Sequence, residues 1–367
     1  MASLEPNQVT NKYFSASERM SFCNNIKIGI IGAGISGLMC AYKLSYDGFD
    51  ITIFDKSGFP GKGASHVASG MINPGGELLD LPYSFINCSI ESVVFWNNFS
   101  KKHNCMLQTK GSLLLSQSFQ QSKINKFQNI LKSTDIEFQT FDRKQLKYLE
   151  PDISSKFTDA IFFPKDINLS APNSQKIIIQ HLIKCGAKLK REMVTPITIK
   201  DQFDWVIDAR GWEADYNDLL CIKGETILIE NHDIKLTRPV RFWYENNIYY
   251  IVPCGKGRFI IGATSRIEED ANPRKARIIG LKLLIEVANA FSNRFESSHL
   301  LKLNNGIRPS FKNKTPKISY NGNAFHINGM YRHGFLFSPI AAEVIRDKIL
   351  NRDNANSYLF ESNFNHS

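Results

Sequence analysis

The sequence predicts an α/β fold in which a parallel-sheet unit is interrupted by a β-rich α+β unit. Three observations carry that expectation. A strand, a glycine-rich turn, a helix and a second strand follow one another between Ile26 and Asp55, which is the order of a parallel sheet. Short runs dense in Ile, Tyr and Phe, separated by Asn, Gly and Lys, fill residues 224–264. A helical pattern then closes the chain after Ser338.

Taken in order, Ile26-Lys27-Ile28-Gly29-Ile30-Ile31 is a β-branched run, and the stretch from Leu38 to Tyr46 reads as a helix. Asp50-Ile51-Thr52-Ile53-Phe54 is the second strand and ends on Asp55. Residues 89–103 and 118–133 read as amphipathic helices, the first with Ile90, Val93, Val94 and Trp96 at helical spacing. Trp205 to Ala209 forms another apolar strand leading into Arg210-Gly211. The runs Thr226–Ile229, Ile248–Pro253 and Arg258–Gly262 predict an antiparallel sheet. A helix over 273–292 and a strand through Ile307-Arg308 follow. For the last helix, Ser338 suits the N-cap and Pro339 the first turn, with Ile340, Val344, Ile345 and Ile349 on one face.

Composition sets the frame. The 367 residues leave room for two domains, and 43% hydrophobic residues with 26 Phe supply a large core. The expected division gives residues 26–90, 145–222 and 323–352 to the nucleotide-binding unit and 91–144 and 223–322 to the substrate unit. Residues 1–25 form a flexible leader and 353–367 a tail. Residues 28–42 carry no charge but are broken by four glycines, so no membrane span is expected. Seven scattered cysteines without a CxxC pair predict neither a disulfide framework nor zinc, and fit a reducing cytoplasm. Eight histidines without HxxxH spacing predict no metal. The net charge of +10, from 45 Lys and Arg against 35 Asp and Glu, is spread over many segments. It forms no basic helix or arm, so no specific nucleic acid partner is expected.

Gly32-Ala33-Gly34-Ile35-Ser36-Gly37 is a GxGxxG motif between a strand and a helix. Asp55 follows Gly32 by 55 − 32 = 23 residues, close to the roughly 20 of a dinucleotide fingerprint. Gly32 permits the turn, Gly34 lets backbone approach a pyrophosphate, and Gly37 lets helix and strand close up. The helix N-terminus offers N–H groups and a positive dipole to phosphate, and Asp55 would accept from ribose hydroxyls. The run Gly61 to Met71 is rich in small residues. Such residues let a bulky ring lie on the backbone, while Ser65 and Ser69 can donate to phosphate or flavin oxygens.

Four separated blocks then carry a family resemblance. They are Gly32 to Gly37 closing at Asp55-Lys56; Gly63-Ala64-Ser65 through Ala68-Ser69-Gly70-Met71; Ile207-Asp208-Ala209-Arg210-Gly211 with Lys223 to Thr226; and Gly306-Ile307-Arg308-Pro309 with Gly329 to Leu336. In these blocks the chain resembles the FAD-dependent D-amino-acid-oxidase-like family, and within it the glycine oxidases of thiamine biosynthesis. The resemblance implies FAD as cofactor, in a Rossmann-type (glutathione-reductase-like) domain. It implies that Gly32, Gly34, Ile35, Ser36, Gly37, Asp55, Lys56, Ala64, Ser65, Ser69, Gly70, Met71, Val194 and Gly211 hold FAD. Tyr331, Arg332, His333, Gly334, Phe335 and Leu336 complete the set. The start of the last helix would face the flavin and stabilise its reduced form.

By the same resemblance Arg308 binds a substrate carboxylate, Arg332 is a second site arginine, and Tyr250 lies near the substrate. A planar guanidinium suits a small carboxylate, gripping it through two parallel hydrogen bonds. The implied reaction is oxidative deamination of a small amino acid, with oxygen or another compound as electron acceptor. Sarcosine oxidase and D-amino-acid dehydrogenase activities are the alternatives on the same scaffold. A non-enzymatic nucleotide- or nucleic-acid-binding protein is the remote one. A homo-oligomer is compatible with each. Two residues depart from some relatives: His333 stands in place of an amide, and Ile248 in place of a polar residue. No cysteine follows Cys254, which leaves no thiol for covalent flavin attachment near the C-terminus.

Overall fold

The computed structural model describes residues 26–267 and 275–360. The expected leader, residues 1–25, and the first two residues of the expected helix 273–292 lie outside them.

Strand β1 (Lys27–Ile31), helix α1 (Ile35–Leu44) and strand β2 (Asp50–Phe54) form the expected βαβ unit. β1 sits centrally in a six-stranded sheet, flanked by β2 and by Trp205–Asp208 in parallel register. Lys188–Lys190 and the antiparallel pair Lys317–Asn321 and Ala324–Asn328 complete the sheet. Four of five residues in β1 and in β2 are buried, as expected for strands covered on both faces. Helices α2 (Pro74–Glu77) and α3 (Ile86–His103) follow.

A second, nine-stranded sheet contains β3 (Leu220–Glu230), β4 (Val240–Tyr244), β5 (Asn247–Gly255), β6 (Arg258–Gly262) and β7 (His299–Ser310). These five pair antiparallel, in the order β7, β3, β6, β5, β4. β4 continues the sheet through a parallel pairing with Ser112–Gln117. The helix Ile278–Phe291 packs Leu284, Val287, Ala288 and Phe291 into a core that also holds Phe157, Phe242 and Ile251. Sheet membership differs from the expected division at two places. Phe157–Phe163 pairs within the nine-stranded sheet, and Lys317–Asn321 within the six-stranded one. In the expected tail, Phe360 is buried against Phe85 and Phe337.

The last helix, α4 (Gly334–Ile349), corrects the reading of Ser338 as an N-cap. The helix starts one turn earlier, after His333, and Pro339 lies inside it. A proline there withholds the N–H that would bond the carbonyl four residues back. That carbonyl is Phe335 O, and the Trp96 indole N–H donates to it at 2.8 Å. The helix therefore runs through the proline with its exposed acceptor satisfied. Ser338 is buried, and its Oγ lies 3.0 Å from Ser36 Oγ, joining α4 to α1.

Among the described residues, six cysteines are free. No described helix is long and apolar enough to cross a membrane. No group of three or more His, Cys, Asp or Glu side chains among them is placed to hold a metal ion.

Trp96 is fully buried, so Trp96→Phe should cost about 1–3 kcal/mol through the orphaned Phe335 carbonyl. Adding Pro339→Ala returns a backbone donor and should recover part of that loss. Urea unfolding of the single and double variants measures both effects.

Candidate functional site

The C-terminal ends of β1, β2 and Trp205–Asp208 converge on one cavity of about 680 Å³. This is where open α/β sheets place ligands. Gly32, at φ +106, makes the turn after β1, and its N–H donates to Phe54 O at 2.7 Å. A Cβ built on Gly37 would stand 2.0 Å from Gly32 O, so helix and turn touch backbone to backbone. Asp55 braces the turn from the other side. Its Oδ2 accepts from Ala33 N at 2.8 Å, and its Oδ1 accepts from Ser57 N at 2.8 Å and Ser57 Oγ at 2.6 Å.

Gly34, Ile35 and Ser36 line the cavity, and Ser65 Oγ accepts from Ile35 N at 3.0 Å. A Cβ on Gly34 would meet only Ser65 Oγ, at 3.5 Å, so the missing side chain leaves bare backbone facing open space. Ala64, Ser65, Ser69, Gly70 and Met71 line the same wall. Val194 and Gly211 close it, with Lys56, whose amine lies 2.7 Å from Glu213.

The far wall comes from one face of the nine-stranded sheet. Arg241, Tyr250, Gly262 and Thr226 lie in register across β4, β5, β6 and β3. Two residues along these strands, Ile248 and Gly224 also reach the cavity, as the period of two requires. β7 supplies Gly306 and Arg308 on the same period. The Arg308 guanidinium lies over Gly224, where a Cβ would come within 2.1 Å of Nη2, and Nη1 donates to Thr264 O at 3.2 Å. Burial and the neighbouring Arg332 charge push its pKa below the ordinary value. Tyr331, Arg332, Gly334 and Phe335, at the start of α4, form the roof.

Three expected cofactor residues do not line the cavity. Gly37 lies beneath the turn, while His333 and Leu336 are buried. The sequence reading missed Glu77 and Arg241, which line the cavity and form an ion pair. Burial alone would raise the Glu77 pKa, but Arg241 and then His333 hold it well below the carboxylate range. A sequence signal for Arg241 existed in Val240-Arg241-Phe242-Trp243, a single charge within an apolar strand. Pro74-Gly75-Gly76-Glu77 was the corresponding signal for Glu77. Behind this pair, burial pushes Asp166 up to about 7, although Ser112 Oγ donates to it at 2.7 Å.

A glycine turn, a bracing acid and a helix N-terminus opening on this cavity define a dinucleotide-binding protein. The chain belongs to the FAD dependent oxidoreductase family, DAO, which it matches over residues 27–348. It is 28% identical over 324 residues to a Rhizobium etli protein assigned as the thiamine biosynthesis oxidoreductase ThiO. That match covers 88% of this chain and 96% of the relative. The fold is similar to glycine oxidase from Geobacillus kaustophilus, with a TM-score of 0.81, 20% identity, and 93% and 100% of the two chains covered. It is also similar to iminodiacetate oxidase from Chelativorans sp. BNC1, with a TM-score of 0.78, 15% identity, and 92% and 100% covered.

The protein is thus an FAD-dependent oxidoreductase. Its residues fit that cofactor: bare backbone at Gly34, a helix start with N–H groups lacking helical partners, and a cavity within the usual size range of cofactor sites.

Two outcomes are expected. Gly224→Ala should retain flavin but weaken binding of small carboxylates about tenfold or more, because the new methyl displaces Arg308. Flavin absorbance and acetate titration test this. Asp166 releases its proton near 7 when folded, against an ordinary 3.8. Its stabilising contribution is therefore complete below the lower value and lost as pH rises through the upper one. Asp166→Asn should flatten that decline in melting temperature across the interval.

Proposed function

We propose that the protein oxidatively deaminates a small amino acid, glycine, to the imine and then the oxo acid, releasing ammonia and peroxide. We place this activity in the supply of the thiamine thiazole, within a reducing cytoplasm. One observation carries the reading: the half-buried Arg308 lines the cofactor cavity and has no carboxylate partner among the described residues. A guanidinium drawn partly out of water without a counter-ion is a ready site for an anionic ligand. The full-length similarity to ThiO supports the thiamine connection.

The chemistry that FAD supplies when bound is the uptake of two electrons from a C–H bond beside nitrogen, and their return to oxygen or another acceptor. The pyrophosphate would lie on Gly32, Gly34 and the start of α1, the ribose on Asp55, and the ring on Ala64 to Met71. The chain's own task is positioning. Arg308, steadied by Thr264 O and by the close fit over Gly224, takes the carboxylate through two parallel hydrogen bonds. Arg332 adds a second positive charge on the same side. Tyr250, Ile248 and Leu79 line the substrate end and limit side-chain bulk, which favours glycine. The amino acid reacts with its amine neutral, and exclusion of water favours that state.

Arg308→Ala should keep the yellow flavin and lose turnover by about a hundredfold or more. Turnover unchanged in that variant would refute the assignment. Bleaching of the visible flavin band by glycine without oxygen tests the substrate. A panel including sarcosine and D-amino acids, scored by peroxide release, separates an oxidase from a dehydrogenase.

A further inference from the structure

Two acids lie within electrostatic reach of Arg332, namely Glu77 and Asp80. Neither pairs with it. The Glu77 carboxylate is bound by Arg241 Nη2, and its Oε2 lies 3.0 Å from His333 Nδ1. The Asp80 carboxylate is bound by Lys314 Nζ at 3.1 Å. Arg332 rests over the Tyr331 ring at 5.3 Å, and its Nε is buried with no hydrogen-bond partner. Among the described residues it has no carboxylate partner.

This arrangement is built into the interior. The Arg241, Glu77 and His333 side chains are 7%, 13% and 0% exposed. Gly76 makes room for it, since a Cβ there would stand 2.3 Å from Arg241 Nη1. Glu77 and Arg332 line the same cavity, so an unmatched Glu77 is an acid placed to compete for Arg332. The Arg332 charge would then be cancelled from within the protein. Burial works against the Arg332 charge, yet Tyr331, Asp80, Glu77 and Tyr250 outweigh it and keep its pKa above the ordinary value.

We propose that Arg241 and His333 are positioning residues that hold Glu77 away from Arg332 and so keep Arg332 open for the substrate carboxylate. The proposal rests on the carboxylate site described under Proposed function and assigns to it a device that preserves its positive charge. His333 contributes although it does not line the cavity.

The test is a charge-suppression cycle on the flavin-loaded protein, read by the shift that acetate causes in the visible spectrum of the bound flavin. Arg241→Gln frees Glu77 to capture Arg332, and should raise the acetate Kd about tenfold or more. Adding Glu77→Gln removes the captor and should return the Kd to within about threefold of the parent. A double variant as weak as the single one overturns the proposal, since it shows Arg241 to be only structural. His333→Asn, with and without Glu77→Gln, repeats the comparison if Arg241→Gln does not fold. Glu77→Gln alone should bind acetate at least as tightly as the parent, and weaker binding also overturns the proposal. No acetate response in the parent, or a full response in Arg308→Ala, would overturn the carboxylate site and this proposal with it. A parent that responds through Arg308 without Glu77-dependent rescue overturns the sequestration alone.

Discussion

The contact between the backbone of Gly32 and the first turn of α1 is the constraint on which the cavity depends. With 2.0 Å between Gly32 O and a Cβ placed on Gly37, any side chain at Gly37 would drive α1 off the end of β1. The helix start would then no longer face the cavity at the C-terminal ends of β1 and the Trp205–Asp208 strand. Asp55 reinforces this from β2, three hydrogen bonds fixing its carboxylate against the turn and Ser57. Its acidity, so often read only as a ribose contact, also serves the protein's own backbone. A ligand arriving there meets a rigid wall, and little ordering entropy remains to be lost on binding.

The opposite wall is set by a different kind of rule. Side chains on one face of a strand recur every two residues, so four neighbouring strands place Arg241, Tyr250, Gly262 and Thr226 in a row. Gly224 follows from the same period two residues along β3, and Arg308 one strand further on, in β7. The roof, residues 331–335, leads into α4, and where α4 passes through Pro339 the Trp96 indole donates to the freed Phe335 carbonyl. A side chain from α3 thus braces the first turn of the helix that follows Arg332.

These origins explain what the sequence discloses. The fingerprint was legible because its parts are local: glycines within six residues and an acid at the next strand end. The antiparallel texture of 224–264 was legible because alternation and turn residues repeat along it. The start of α4 was misread because Trp96 and Phe335 are 239 residues apart, and nothing near Pro339 announces the donor. The Glu77 and Arg241 pair was missed for the same reason, being separated by 164 residues. Each looks ordinary in its own segment, and only the fold brings the two charges together. The family resemblance reached Arg308, Arg332 and Tyr250 because they sit in short motifs; the groups that tune them do not.

The net charge of +10 illustrates the same distinction between quantity and place. Exposed lysines contribute most of that excess, and their fields are damped by water and salt within about 10 Å. Inside the cavity, by contrast, each charge is counted individually. Glu77 is matched by Arg241, Asp80 by Lys314, and Arg210 is bound by Asp208. Arg308 and Arg332 are left with no carboxylate among the described residues. Two half-buried guanidinium groups without a carboxylate partner line one cavity wall and are placed to attract an anion there. The chemical character of the site therefore depends as much on the pairs that are closed as on the two arginines left open.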